Sequence, residues 1–217
     1  MKTKNKKAAL LELDTTPHSL RSLPDDMLEI APAVDSETTE EQIERITKEL
    51  FGPGTNSENR LPTMISHHEL IFCKQEVFWP VFHAVWNACD DTWEHREDLV
   101  EFLHAVIYDC DFDVPSYQYL TPEDYLTYKS LPEFIRIYRG CSLSRVYGFS
   151  WTTDRKIAEG FARGHRGVSV PDPVIATLRI PKRYAIGFYT NRKENELFID
   201  YNEIKKYAIT VNHVGNY

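Results

Sequence analysis

The chain has 217 residues, of which 42% are hydrophobic and 12% aromatic, enough for one well-buried core with a tail. Its formal net charge of −8 provides no overall basic field for phosphates, so nucleic acid is not expected as a partner. The sequence contains no run of about eighteen apolar residues, so no membrane-spanning helix is expected either.

The four cysteines are widely spaced, and none forms a C-x-x-C pair or a cluster with histidine at zinc-finger spacing. We therefore expect reduced, buried thiols and no bound metal. The apolar stretch at residues 8–11 is followed by acidic residues and is too short for a signal peptide. These features predict a cytoplasmic protein, and they leave open delivery into another cell without an N-terminal signal.

Residues 1–60 are rich in proline and polar clusters and are predicted to form a flexible region with one docked helix. This helix should cover residues 40–51, beginning at a Thr38 or Thr39 cap and ending at Gly52 and Pro53. Its apolar side chains form one stripe, so we expect it to pack on the main domain.

Residues 61–131 are predicted to be the helical part of that domain. A capping-box pattern begins at Ser66, and Pro80 should kink or divide the aromatic-rich helix that follows. Further helices are predicted over residues 92–108 and from Thr121 onward, where a cap precedes a proline. Three residues of the aromatic-rich helix are expected to pack in or beside the core: Trp79, His83 and Trp86.

Residues 132–217 change to a period of two and are rich in β-branched and aromatic residues, which is typical of strands. One short helix, residues 154–163, should interrupt them, capped by Thr153 or Asp154. Helices first and strands afterwards indicate an α+β domain and not a doubly wound one. The predicted strands cover residues 134–139, 147–151, 174–180, 185–189, 197–199 and 207–214.

Arg139 is the first of three positions in this part that break the local pattern. Alternation along the strand places Ile135, Ile137 and Arg139 on one face, so an arginine ends an apolar row just before Gly140. A guanidinium has the geometry to bind phosphate with two parallel hydrogen bonds. The alternative is an arginine that simply emerges at a strand end.

The other two positions are Ser150 and the pair Glu194 and Glu196. Ser150 is too far upstream to cap the helix at 154–163, so its hydroxyl needs another explanation. In an extended strand both carboxylates would lie on one face, roughly 6.6 Å apart. Their repulsion should raise at least one pKa unless a cation or ligand lies opposite. A solvated strand edge is the alternative.

In this order and spacing, the three positions resemble the mono-ADP-ribosyltransferase toxins and their relatives. That family has an arginine on its first core strand, a Ser-Thr-Ser stretch before a helix, and Glu-x-Glu or Gln-x-Glu on a later strand. The resemblance covers residues 134–200, with Ala158, Phe161 and Ala162 on the family's Ala-x-x-Phe-Ala helix. The triplet here is Ser-Trp-Thr, and a shift of the alignment would offer Thr152 or Thr153 in place of Ser150.

The resemblance implies a fold in which N-terminal helices pack on a mostly antiparallel, split β-sheet core over residues 61–217. It also implies transfer of ADP-ribose from NAD, the co-substrate, with release of nicotinamide. Glu196 would stabilise the positive charge on the ribose and bind its 2′-hydroxyl, and Ser150 would orient that glutamate. The resemblance also implies that NAD is bound by Arg139, Gly140 and Thr152. Contact with the acceptor would come from Glu194, together with Phe188 or Tyr189.

A glutamate at position 194 implies an arginine of a protein as the acceptor, in a toxin or effector with a possible inhibitor or antitoxin partner. Phe188 and Tyr189 could equally be ordinary strand aromatics. Hydrolysis of NAD at the same site is the second interpretation. A catalytically inactive module that binds a nucleotide or a partner is the third, and a transferase acting on nucleic acid is the fourth.

Overall fold

The structure is a computed structural model that describes residues 37–215, apart from residues 91, 110, 111, 113 and 168. Residues 1–36, most of the predicted flexible region, lie outside the described residues. The compact unit of the described chain begins at Glu37, so residues 37–60 belong to the same unit as the residues that follow them. Within this part of the chain, no helix has the length and apolar character needed to cross a membrane.

The helices come mostly before the strands along the chain. Thr38 begins the first helix through a reciprocal capping box with Glu41, and Ile46 and Leu50 of that helix are buried. The helices among the described residues are α1 (Thr39–Leu50), α2 (Arg60–Ile65), α3 (His68–Phe72), α4 (Gln75–Trp86), α5 (Arg96–Asp109), α6 (Pro122–Ser130), α7 (Arg155–Ala162) and α8 (Tyr201–Ile204).

One local expectation in the helical part is wrong, and one of the two alternatives for Pro80 is excluded. Ser66 does not cap α3, because its hydroxyl donates to the carbonyl of Thr63 at 3.0 Å and so closes the end of α2. Pro80 lies inside α4 without dividing it. The rings of Phe78 and Phe82, before and after Pro80, stack with their centroids 5.7 Å apart, and this packing favours the continuous helix.

In the described part of the chain, six strands form one antiparallel sheet in the order β4-β5-β2-β1-β3-β6. Together with the helices, this sheet confirms the predicted α+β class. The strands are β1 (Phe134–Ser142), β2 (Ser150–Thr152), β3 (Pro173–Pro181), β4 (Ala185–Tyr189), β5 (Glu196–Ile199) and β6 (Thr210–His213).

The expected split of the sheet into two is not present among these strands. β1 and β3 pair along their whole lengths, whereas β1 and β2 share one residue pair, Tyr138 with Thr152. The two three-stranded halves therefore meet at a short seam. Both residues of that pair line the cleft described below, so the seam places β1 and β2 at one site.

Helix α7 packs on β1 at Gly140, where the two backbones are in close contact. A Cβ on Gly140 would lie 1.7 Å from the carbonyl oxygen of Ala158 and 2.6 Å from the backbone nitrogen of Ala162. Both are backbone atoms, which cannot move aside as the end of a flexible side chain could. Glycine at this position therefore sets the distance between the helix and the strand that carries Arg139.

Gly140→Ala is expected to lower the free energy of unfolding by at least about 3 kcal/mol, because α7 must move away from β1. Urea denaturation measures this loss. Gly160→Ala is the matched control, since a Cβ there meets nothing within 4 Å and the residue lies within α7. The control should gain up to about 1 kcal/mol from helix propensity. Equal effects of the two substitutions would contradict the close approach.

Candidate active site

A cleft with a volume of about 210 Å³, open to solvent, lies beside the seam of the sheet. The structure brings six of the eight predicted site residues to it: Arg139, Gly140, Ser150, Thr152, Glu194 and Glu196. The rest of the lining comes from the segment after α4, from β1 and the segment after it, from β2 and from α7: Asp90, Thr92, Trp93, Tyr138, Arg145, Trp151, Ile157, Ala158 and Phe161.

Arg139 is fixed by backbone carbonyls on the floor of this cleft. Its Nε donates to the carbonyl of Arg145 at 3.1 Å, and its Nη1 donates to the carbonyl of Ser150 at 2.6 Å. Burial lowers the pKa of Arg139, which nevertheless remains charged at neutral pH. These two hydrogen bonds leave three of the five guanidinium N–H donors, and bidentate phosphate binding needs two.

Gly148 makes room for this guanidinium. A Cβ at that position would lie 2.3 Å from Cζ and from Nη2 of Arg139. The sequence analysis does not identify this role, because the two residues lie on different segments and meet only in the folded chain. A side chain at position 148 would displace the guanidinium from the place where it now lies.

Ser150 links the arginine to the glutamate. Its backbone carbonyl accepts from Arg139, and its side chain lies near the carboxylate of Glu196, whose pKa it lowers. Cross-strand pairing of Ser150 with Phe198 and of Thr152 with Glu196 sets the register of β2 against β5. One residue of the Ser-Trp-Thr triplet therefore contacts both charged groups of the site.

Glu196 is held in a partly buried environment. Burial raises the pKa of its carboxyl group, and the negative charge of Glu194 raises it further. Hydrogen bonds from Ser150 and Trp86 lower the pKa and so favour the ionised form. The Trp86 indole Nε1 donates to Oε1 of Glu196 at 3.1 Å. Trp86, expected to be a packing residue only, is also a hydrogen-bond donor to the site.

Glu194 reaches the cleft from a turn. The expected extended segment from Glu194 to Glu196 is wrong, because Lys193 and Asn195 have positive φ angles of 57° and 46° and β5 begins only at Glu196. Asn195 in the left-handed region turns the chain between the two glutamates. Both carboxylates nevertheless belong to the cleft lining.

Thr152 holds this turn and does not offer a donor to a ligand. Its hydroxyl donates to the carbonyl of Glu194 at 2.6 Å and accepts from the backbone N–H of Asp154 at 3.0 Å. Since a hydroxyl carries one proton, that of Thr152 positions the turn, and binding of NAD by this residue stays a prediction. Asp154, one of the two predicted caps, begins α7 by accepting from the N–H of Lys156 at 2.8 Å.

Arg145 and Trp93 form a wall of the cleft that the sequence analysis does not identify. The Arg145 guanidinium lies 5.7 Å from the centre of the Trp93 ring and pairs with Glu94 at 3.1 Å. Trp93 comes from the segment before α5, and Arg145 comes from the 3-10 helix after β1. A second arginine beside Arg139 adds positive charge to this end of the cleft.

Phe188 and Tyr189, the predicted acceptor-facing residues, are not in the cleft. They are only 1% and 3% exposed and belong to the hydrophobic core. The Tyr189 hydroxyl donates to Nδ1 of His83 at 2.9 Å, and Nε2 of His83 donates to the carbonyl of Ser116 at 3.1 Å. They are therefore core residues, which is the alternative that the sequence left open.

Burial lowers the pKa of His83 to about 4, so this histidine is neutral in the folded protein. An unfolded histidine takes up its proton below about pH 6.5. Because the folded state resists protonation until about pH 4, stability falls as the pH decreases through this window and then levels off.

We expect the wild type to lose about 2–3 kcal/mol more unfolding free energy than His83→Gln between about pH 7 and pH 4.5. Glutamine keeps a donor for the Ser116 carbonyl but does not titrate. Urea denaturation of both proteins at the two pH values measures the difference. Parallel losses in the two proteins would show that His83 does not cause the acid sensitivity.

Comparison of the chain with protein-family models, curated proteins and solved structures gave no significant match. No group of three or more histidine, cysteine or acidic residues suited to a metal ion occurs in the described part of the chain.

Proposed function

We propose that the protein is a mono-ADP-ribosyltransferase that transfers ADP-ribose from NAD to an arginine of a protein and releases nicotinamide. The observation that carries this proposal is the chain of contacts from Arg139 through Ser150 to Glu196 in one cleft. This chain of contacts supports binding of a dinucleotide, with its pyrophosphate at the guanidinium of Arg139 and its nicotinamide ribose at the carboxylate of Glu196.

The reaction breaks the bond between the nicotinamide nitrogen and the anomeric carbon of the ribose. Positive charge develops on the ribose as that bond breaks, and nicotinamide leaves with the bonding electrons. An ionised Glu196 beside the sugar stabilises this charge, and its free lone pairs accept from the 2′-hydroxyl. The acceptor nitrogen then bonds to the anomeric carbon and loses one proton.

Glu194 supports an arginine as the acceptor. Its carboxylate lies at the same cleft, and its negative charge acts on Glu196. A carboxylate at this place can bind a guanidinium with two hydrogen bonds and take its proton. Asp90, which pairs with Arg192 at 3.4 Å, adds a second acidic group to the same lining.

NAD hydrolysis is the second candidate, and the burial of Phe188 and Tyr189 favours it. With both aromatics in the core, Glu194 is the one predicted acceptor contact that lies at the cleft. Water would then replace the arginine nitrogen at the anomeric carbon, giving free ADP-ribose, nicotinamide and one proton.

Incubation of the protein with labelled NAD and a cell lysate tests the proposal, with an incubation without lysate alongside. The transferase predicts a discrete labelled protein band that forms with the wild type and not with Glu196→Gln. Rapid nicotinamide release without any acceptor would favour the hydrolase. No nicotinamide release under either condition would contradict both activities.

A further inference from the structure

Trp86 and Glu196 come from the two parts of the chain that the sequence analysis separates, the helical part and the strand-rich part. Trp86 is the last residue of α4, and Glu196 is the first residue of β5. The indole Nε1 nevertheless donates to Oε1 of the carboxylate at 3.1 Å. The contact therefore joins the helical part to the carboxylate on which the proposed chemistry depends.

Aromatic packing fixes the position of this indole. Trp86 is 2% exposed, and its ring meets the ring of Phe198 edge-on at 4.3 Å between centroids. Phe149 meets it at 6.2 Å and Phe82 stacks on it at 6.2 Å. Phe198 lies two residues after Glu196 on β5, and so on the same face of the strand. Two of the rings that hold Trp86 are therefore close to site residues in sequence: Phe149 directly precedes Ser150, and Phe198 follows Glu196 by two residues.

The titratable groups near Glu196 come from three other segments. Glu194 in the turn raises the pKa of the carboxyl group, and Arg192 in the same turn lowers it. Arg139 on β1 and Tyr189 on β4 also interact electrostatically with it. Trp86 and Ser150 are the neutral donors in this environment. A neutral donor aims one carboxylate oxygen without neutralising its charge.

We propose that Trp86 is a positioning residue of the active site, whose indole N–H holds one oxygen of Glu196 while Ser150 contacts the same carboxylate from β2. Its effect on catalysis rests on the proposed function. With both donors in place, α4 and β2 together restrict the rotation of the carboxylate, so that it faces the developing charge on the ribose.

Trp79 is a matched control on the same helix. It is also buried, at 3% exposure, and its indole nitrogen has no hydrogen-bond partner among the described residues. Trp79→Phe and Trp86→Phe remove the same atoms from α4, with a similar loss of packing. Only the second substitution removes a donor from Glu196.

Steady-state kinetics of nicotinamide release should separate the two variants. In Trp86→Phe we expect kcat to fall about tenfold and KM for NAD to change by less than about twofold, because a hydrogen bond to a charged group is lost. The acid limb of its pH profile should move to higher pH. Trp79→Phe should keep the wild-type kcat and pH profile. Equal changes in the two variants would overturn the proposal.

Titration of the Glu196 carboxyl by ¹³C NMR gives a readout that does not depend on NAD. The pKa of Glu196 should rise by up to about one unit in Trp86→Phe and stay unchanged in Trp79→Phe. If the wild type releases no nicotinamide, the proposed function fails, and this titration still decides whether Trp86 holds the carboxylate. An unchanged pKa in both variants would overturn the proposal.

A second variant keeps the test valid if Trp86→Phe does not fold. Replacement of Trp86 by benzothienylalanine keeps the bicyclic ring and exchanges only the N–H for sulfur. This variant should fold like the wild type and show the raised pKa of Glu196. A folded variant with the wild-type pKa would overturn the proposal.

Discussion

Glu196→Gln is expected to lower kcat for nicotinamide release by roughly 10²–10³-fold while leaving the affinity for NAD within about twofold of the wild type. Glutamine matches glutamate in shape and still offers an oxygen to the indole of Trp86. What it removes is the negative charge that faces the ribose when nicotinamide leaves. Because this charge acts mainly in the transition state, the loss should be in kcat and not in binding.

The same substitution should make the folded protein more stable at neutral pH. Burial raises the pKa of Glu196 above that of an unfolded glutamate, so its ionised form costs stability once the pH exceeds the unfolded value. Urea denaturation should therefore show a higher midpoint for Glu196→Gln at neutral pH, with an advantage that shrinks as the carboxyl becomes protonated. A variant that loses both activity and stability would indicate a structural role instead.

Glu194→Gln is the companion variant. It retains Glu196 and should continue to release nicotinamide to water, but it should lose transfer to arginine because no carboxylate remains to bind and deprotonate the guanidinium. The ratio of labelled protein to free ADP-ribose measures this separation. An unchanged ratio would remove Glu194 from acceptor recognition.

Arg139→Lys is expected to raise KM for NAD by about 10–100-fold, since lysine keeps the charge but loses the planar pair of donors that fits a pyrophosphate. It also loses the hydrogen bonds to the carbonyls of Arg145 and Ser150. A smaller fall in kcat should follow, because Ser150 in turn contacts Glu196.

Arg136→Lys is the matched control for this substitution. Arg136 lies on the same strand with an exposed side chain, outside the cleft lining. Its variant should keep the wild-type KM, and nicotinamide release at varied NAD concentration compares the two. If both lysine variants behave like the wild type, Arg139 does not bind the dinucleotide.

Local rules were sufficient where the decisive contacts lie close together in sequence. Alternation along β1 buries Ile135 and Ile137, and Arg139 comes at the end of that row, as predicted. Thr121 caps α6, with the N–H of Asp124 donating to its hydroxyl at 3.2 Å. These features need only a strand period or one helical turn, so the sequence contains the required information.

Contacts between distant segments could not be predicted in this way. The hydrogen bond from Trp86 to Glu196 joins residues 110 positions apart, and no periodicity relates them. The left-handed conformation of Asn195 depends on the turn that Thr152 holds. The N–H of a buried tryptophan usually finds a partner, and that tendency was the one signal that could have directed attention to Trp86.

The burial of Phe188 and Tyr189 depends in the same way on tertiary packing. Both belong to a strand with the composition of a core strand, and being adjacent on β4 they point to opposite faces, each of which is buried in the fold. His83 on α4 accepts from the Tyr189 hydroxyl, which keeps that ring in the core.

A crystal structure of the complex with a non-hydrolysable NAD analogue tests the central claim most directly. We expect a pyrophosphate oxygen within about 3 Å of the Arg139 guanidinium and the nicotinamide ribose 2′-hydroxyl at hydrogen-bond distance from Glu196. An analogue bound elsewhere, or bound in the cleft with its ribose away from Glu196, would contradict the account.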